Sequence, residues 1–319
     1  MHKSIVDQQR KFSNQQRAEI QPDELMVIVD FKENIRLGGG PVECGQDYFT
    51  RQQCSVLGMA VVYWNQVKQQ PSVEYVDFFS DILSHDALFV SNCLSNVLDN
   101  FIKFKYQNLN LKKVHFWNDT GRHFQCGELA HYLLNIVPVE YNIQVTWNFF
   151  GEHHGKSIVD GHFGLLSRIL KDIENWDQVR TIDNLIFLLR QRERQIKSPQ
   201  VGDQVMWHFN NYDRINRPNF INLLNIKNMC DFYFFESCIL DNNICLRAKF
   251  LGSSGNYVEN FEFSQKTVEE KRKTKRGSIF SERSEKRKRQ TEDEDEIDEV
   301  FGPIVQKRIR RQQQLSLTN

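Results

Sequence analysis

Three aspartates, Asp30, Asp119 and Asp160, are the residues of this 319-residue sequence best placed to do chemistry. Carboxylates gathered at one place repel one another unless cations neutralise them. Hard oxygen ligands of this kind select Mg2+ or Mn2+, which keep several waters and bind phosphate oxygens. Two such ions about 3.5–4 Å apart activate a nucleophile and stabilise the leaving 3′ oxygen of a phosphodiester. The chemistry expected is metal-assisted phosphoryl transfer on nucleic acid, provided the fold brings the three acids together. Each acid also has a local reading. Asp30 and Asp119 can cap the turns after their strands, and Asp160 can be an exposed helix residue.

The elements that must position them are legible from hydrophobic spacing. "ELMVIVDF" (Glu24 to Phe31) predicts a buried strand ending near Asp30. "CSVLGMAVVYW" and "SVEYVDFFSDI" predict two more strands, with links short enough for antiparallel neighbours. "HDALFVSNCLSNVLDNFIKF" has the three-and-four spacing of a helix. A fourth strand, "KKVHFWND", ends at Asp119, a helix follows in "CGELAHYLLN", and "YNIQVTWNFF" gives a fifth strand. In the next helix Val159, Phe163, Leu166, Leu170 and Ile173 form a core-facing stripe. Asp160 flanks that stripe, with Lys156 and Gly164 on its own face. Gly161 and Gly164 each cost about 1 kcal/mol in a helix interior, which implies that the sheet or a substrate approaches closely. A further helix, "TIDNLIFLLRQRERQ", completes the series.

This element order predicts an α/β fold with a ribonuclease H-like, mixed five-stranded sheet flanked by helices, the last two strands joined through helices and therefore parallel. A doubly wound nucleotide-binding fold would want a helix after the first strand and GxGxxG at that strand's end. Here "GGGPVECG" leads into another strand. Four regions are expected: a loose polar N-terminal tail over 1–22, the catalytic core over 23–197, a small β-rich module over 198–264, and a disordered charged tail over 265–319.

Composition narrows the function classes. Forty-one Lys and Arg balance forty-one Asp and Glu, but the charges are segregated. Lys266 to Arg289 holds eleven basic residues against four Glu, and "EDEDEIDE" follows with seven acids in eight. Such blocks repel themselves and stay unfolded. No apolar run approaches 18 residues, so no membrane span is expected, and the N-terminus lacks the apolar core of a secretory signal. The seven cysteines form no CxxC pair, which points to reduced thiols and away from structural zinc.

"MVIVDFKENIRLGGG", "HFWNDTGRHFQ" and above all "WNFFGEHHGKSIVDGHFGLLSR" resemble a eukaryotic transposase family of the DDE/D superfamily. The likeness covers roughly residues 24–175. This sequence has Asn-Asp-Thr-Gly where that family more often has Ser-Asp-Gly. The resemblance implies an enzyme that cleaves DNA and transfers strands with two Mg2+ or Mn2+ ions held by Asp30, Asp119 and Asp160. It implies supporting roles for Glu33 and Asn34, and phosphate contacts from His154, Gly155, Lys156 and Arg168. DNA, as transposon ends and target, is the implied partner, and a homo-oligomer is compatible with it; no organic cofactor is called for. Lys286, Arg287, Lys288 and Arg289 fit a nuclear localisation signal. Two alternatives remain open: a transposase-derived DNA-binding protein without catalysis, and a ribonuclease H-type nuclease, which would prefer a fourth acid such as Asp86 or Asp99.

Overall fold

The computed structural model describes residues 2–38, 52–105, 111–151, 157–173, 179–193, 206–212, 222–240, 243–253, 255–258 and 262–267. Strand β1 (Glu24–Arg36) is followed by β2 (Gln53–Asn65) and β3 (Gln70–Ser80), an antiparallel meander. Helix α1 (His2–Ala18) precedes them and α2 (Ala87–Leu98) follows, extended by a π-helical turn over Asp99–Lys105. Then come β4 (Lys113–Asn118), α3 (Gly127–His131), a π-helical turn, α4 (Val137–Tyr141) and β5 (Gln144–Phe149). Helices α5 (Ile158–Lys171) and α6 (Ile182–Glu193) lead to β6 (Met206–Asn211), β7 (Asn222–Ile226), β8 (Phe234–Leu240), β9 (Asn243–Lys249) and β10 (Phe263–Thr267).

Eight of these strands make one mixed sheet in the order β6-β3-β2-β1-β4-β5-β8-β9, and β7 and β10 make a two-stranded sheet. Strands β1, β4 and β5 run parallel, while β2 is antiparallel to both β1 and β3. Side chains alternate across β1. Leu25, Val27 and Val29 enter the core beneath α2, α3 and α4, and Met26 and Ile28 enter the core on the other face with Val159 and Phe163 of α5. Farther along, Leu166 and Ile169 of α5 pack with Ile182, Leu185, Ile186 and Leu189 of α6. Each such side chain, fully buried, contributes about 1.5–3 kcal/mol.

Several sequence expectations need correction. The core sheet has eight strands rather than five, because "MWHFNN" adds to β3 as a parallel edge strand and "FFESCIL" adds to β5. The stretch over 198–264 is thus no separate module: its strands β6, β8 and β9 extend the main sheet while β7 pairs with β10, and residues 1–265 form one compact unit. Residues 266–319 group as a second unit, of which only Lys266 and Thr267 are described. The N-terminal residues are no loose tail either. Helix α1 buries Val6, Gln9 and Ser13. Its buried polar face is satisfied: Gln9 Nε2 donates to Phe149 O at 2.8 Å, and Gly252 N donates to Gln9 Oε1 at 3.0 Å. Trp117 Nε1 donates to Gln16 Oε1 at 2.7 Å. Paired amides can be buried where unpaired ones cannot. Finally, β1 does not end near Asp30 but runs on to Arg36, with a break in register between Lys32 and Ile35.

Candidate functional site

Asp30 sits within β1 on the face shared with Met26 and Ile28, covered by α1 and α5. Its cross-strand partner is Gly58, whose own partner on β3 is Asp77. On the other side, Ile28 pairs with Trp117, so Asp119, two residues beyond Trp117, continues the same row past the end of β4. Asp160 is the third residue of α5, which crosses above this row. Gly58 makes the crossing possible. A Cβ built there would stand 2.4 Å from Phe163 Cε1, so only glycine lets α5 come this close.

Each carboxylate commits one oxygen to local structure. Asp30 Oδ1 accepts from Phe31 N at 2.8 Å, and Asp119 Oδ1 accepts from Gly121 N at 2.9 Å. Asp160 Oδ2 accepts from Ser157 N at 2.7 Å, while the Ser157 hydroxyl accepts from Val159 N and Asp160 N, a capping box. The local readings of Asp119 and Asp160 are therefore present in the structure. Asp30 Oδ2, Asp119 Oδ2 and Asp160 Oδ1 make no hydrogen bond to a described residue.

Asp30 feels the charge of the other two acids. Burial pushes the Asp30 carboxyl up from the ordinary 3.8 to about 7, the negative charges of Asp119 and Asp160 add to the rise, and only the Phe31 N–H opposes it. A carboxyl kept protonated below about pH 7 by burial and by neighbouring negative charge is a group whose ionised form a cation would stabilise. Among the described residues, however, no three His, Cys, Asp or Glu side chains stand close enough to hold one metal ion. The two observations differ in range: charge acts over several ångströms, coordination only within bonding distance. The donor set thus has the oxygen chemistry that Mg2+ or Mn2+ takes, with Asp160 turned back onto its own helix end.

The other expected site residues divide. Asn34 lies at the register break of β1, its Nδ2 3.5 Å from Gln53 Oε1, and neighbouring Glu33 is exposed. This is a β-bulge, a device that redirects side chains beside sites. Arg168 is exposed in the last turn of α5, eight residues and about 12 Å of helix beyond Asp160, so the structure does not bring it to the acids. His154, Gly155 and Lys156 lie outside the described residues, as do Lys286, Arg287, Lys288 and Arg289. Gly161 and Gly164 have nothing within 4 Å of a built Cβ, so the sheet does not approach there and both face outward. Asp86 caps α2 through Phe89 N at 3.0 Å, and Asp99 accepts from Tyr141 Oη at 2.8 Å, so both acids are engaged in structural contacts.

Two features escaped the sequence. His162 Nε2 lies 2.6 Å from Asp77 Oδ2, with both side chains buried, and Tyr75 stacks on the imidazole at 4.3 Å. This pair ties α5, and so Asp160, to the row that holds Asp30. The second feature flanks Asp119: His123 Nε2 is 3.8 Å from Asp119 Oδ1, and Phe31 stacks on His85 at 4.0 Å and meets His123 edge-on. Burial holds the His85 and His123 imidazoles below the ordinary histidine value. Eighty-five residues separate Asp77 from His162, so no motif spacing could have joined them.

Fold and site define the chain as a mixed α/β protein in which Asp30 and Asp119 stand along one row of its central parallel strands, with Asp160 on the helix that crosses above. Residues 9–238 match the family described as Domain of unknown function (DUF8701), and the chain belongs to that family. The match runs from α1 into β8, covering all three acids. Neither the curated proteins nor the solved structures gave a match. No helix among the described residues is long and apolar enough to cross a membrane.

Proposed function

We propose that the chain is a ribonuclease H-like, transposase-type polynucleotidyl transferase, with Asp30, Asp119 and Asp160 as the metal-binding acids and DNA as substrate. The observation that carries the reading is the raised Asp30 carboxyl, lifted to about 7 by burial and by two acids from segments 89 and 130 residues downstream. The strand run β3-β2-β1-β4-β5, with β1 central and parallel to β4 and β5, supports the ribonuclease H-like assignment. Mg2+ or Mn2+ held by these carboxylates would supply Lewis-acid stabilisation of the attacking and leaving oxygens. The chain's own part is to keep Asp30 low in charge until a cation arrives, and to hold α5 over the row through Asp77 and His162. DNA ends and target are the proposed partners, and Lys286 to Arg289 the proposed nuclear address.

The test is nicking and strand transfer on labelled duplex DNA with Mg2+ or Mn2+, comparing the native chain with Asp119→Asn and Asp160→Asn. Either change should abolish activity with the fold intact, since asparagine can keep each cap. Metal-dependent cleavage that survives both changes would sink the assignment. A second reading, a DNA-binding protein without catalysis, is favoured by one observation: Asp160 is already engaged in the capping box. It predicts DNA binding without metal-dependent nicking in the native chain.

A further inference from the structure

Beside the acid row lies a cleft of about 140 Å3 whose walls include Arg10, Ser13, Asn14 and Arg17 of α1, Ile28 of β1 and Ser157 at the head of α5. We infer that this cleft seats a backbone phosphate of the nucleic-acid strand, gripped by Arg10 and Arg17, next to the acids that act on it. The inference rests on the proposed nucleic-acid substrate and adds a subsite to it.

The helix itself dictates the arrangement. Positions 10, 13, 14 and 17 are spaced three, one and three, so they share one face of α1, and Arg10 and Arg17 are two turns, about 10.5 Å, apart along it. That face is cationic because α1 carries four Lys and Arg against a single Asp. Arg17 is half-buried, and no carboxylate among the described residues pairs with it. A guanidinium partly withdrawn from water gains most from an incoming anion, and its planar fork matches phosphate oxygens in bidentate fashion. Ser13 and Asn14 supply a hydroxyl and an amide between the two charges. The volume holds several waters, which a tetrahedral anion can displace.

Two walls are shared with the acid site. Ile28 precedes Asp30 by two residues on the same face, a separation of about 7 Å, or two axial rises of 3.4 Å in a B-form duplex. Ser157 N is the donor that Asp160 Oδ2 caps at 2.7 Å. The Ser157 hydroxyl already takes the first amides of α5, so the cleft's anion affinity comes from the arginines rather than from the helix end. A strand entering the site would thus be neutralised one or two nucleotides away from the position facing Asp30.

The experiment measures DNA affinity of the full chain against salt, in EDTA, so that no cleavage is needed. Arg10→Gln/Arg17→Gln should flatten the slope of log K against log salt by about 1–2, near 0.9 per lost duplex phosphate contact and 0.7 on a single strand. Arg10→Lys/Arg17→Lys should restore most of the slope at matched thermal stability. An unchanged slope in the Gln variant overturns the inference even if the native chain proves an active transferase. A flattened slope in a chain that never cleaves supports the subsite while the catalytic reading fails. Titration with inorganic phosphate separates the sources: phosphate binding lost in the Gln variant, with the DNA slope unchanged, marks a free-anion site and also overturns it.

Discussion

Replacing Asp30 with asparagine isolates the energetics of the acid row. A carboxyl whose folded value lies above its unfolded one binds its proton more tightly when folded. The folded state therefore loses stability as pH rises from about 3.8 toward 7, the window set by the Asp30 shift, and the loss persists above it. Each pH unit inside the window corresponds to about 1.4 kcal/mol. From pH 5 to pH 7 that sums to about 2.7 kcal/mol, and with solvent screening at this half-buried side chain we expect about 1–2 kcal/mol. Asparagine keeps the acceptor for Phe31 N and carries no charge. Asp30→Asn should already melt somewhat higher at pH 5, and its lead should grow by about 3–6 °C by pH 8, at roughly 2–4 °C per kcal/mol for a unit of this size. Asp119→Asn removes one of the two charges on Asp30 and should narrow the gap. Millimolar Mg2+ should raise the native melting temperature at pH 8 by mass action and leave Asp30→Asn nearly unmoved. The assay is thermal melting by circular dichroism across pH 5–8, with and without metal. A native-to-variant gap that stays flat with pH would refute the reasoning, because the three acids would then not share a field.

Two further outcomes test how α5 is held over that row. Gly58→Ala should cost about 1–3 kcal/mol in urea unfolding, since its Cβ meets the Phe163 ring at 2.4 Å and the helix must lift; a neutral result would mean the ring moves freely. His162→Leu strands Asp77 in the core without its 2.6 Å partner and should cost about 3 kcal/mol or more by the same measurement, and a loss below about 1 kcal/mol would show the pair to be dispensable.

How much of this was legible in the sequence depends on what kind of contact makes each element. The meander β1-β2-β3 and the α5 stripe were readable because their burial is apolar and periodic: Val27 and Val29, or Phe163 and Leu166, announce a face. Helix α1 was not, because its sheet-facing side includes Gln9 and Gln16, which look like solvent residues until their hydrogen-bond partners 99 to 243 residues away are known. The aromatic strands after residue 198 were recognisable as strands. Their destination was not, since parallel pairing of Phe209 with Asp77 and antiparallel pairing of Phe235 with Trp147 are settled by long-range register. The acids were found as individuals. That Asp160 folds back onto Ser157 followed from the capping-box spacing Ser-x-x-Asp, a signal open to reading in "SIVD".

The Gln9 amide has a consequence for how the molecule comes into being. Its Nε2 bonds the end of β5 and its Oε1 bonds Gly252, so the first helix closes against backbone made 243 residues later. A chain leaving the ribosome exposes α1 first and finds its anchors last. Until β8 has joined β5 and the segment through Gly252 has emerged, the wall that α1 contributes beside Asp30 lacks these anchors. Long-range closures of this kind slow folding. Here they also order it: the α1 wall beside Asp30 is anchored only once nearly the whole compact unit has been synthesised, so a prematurely ended chain would carry all three aspartates without that wall in place.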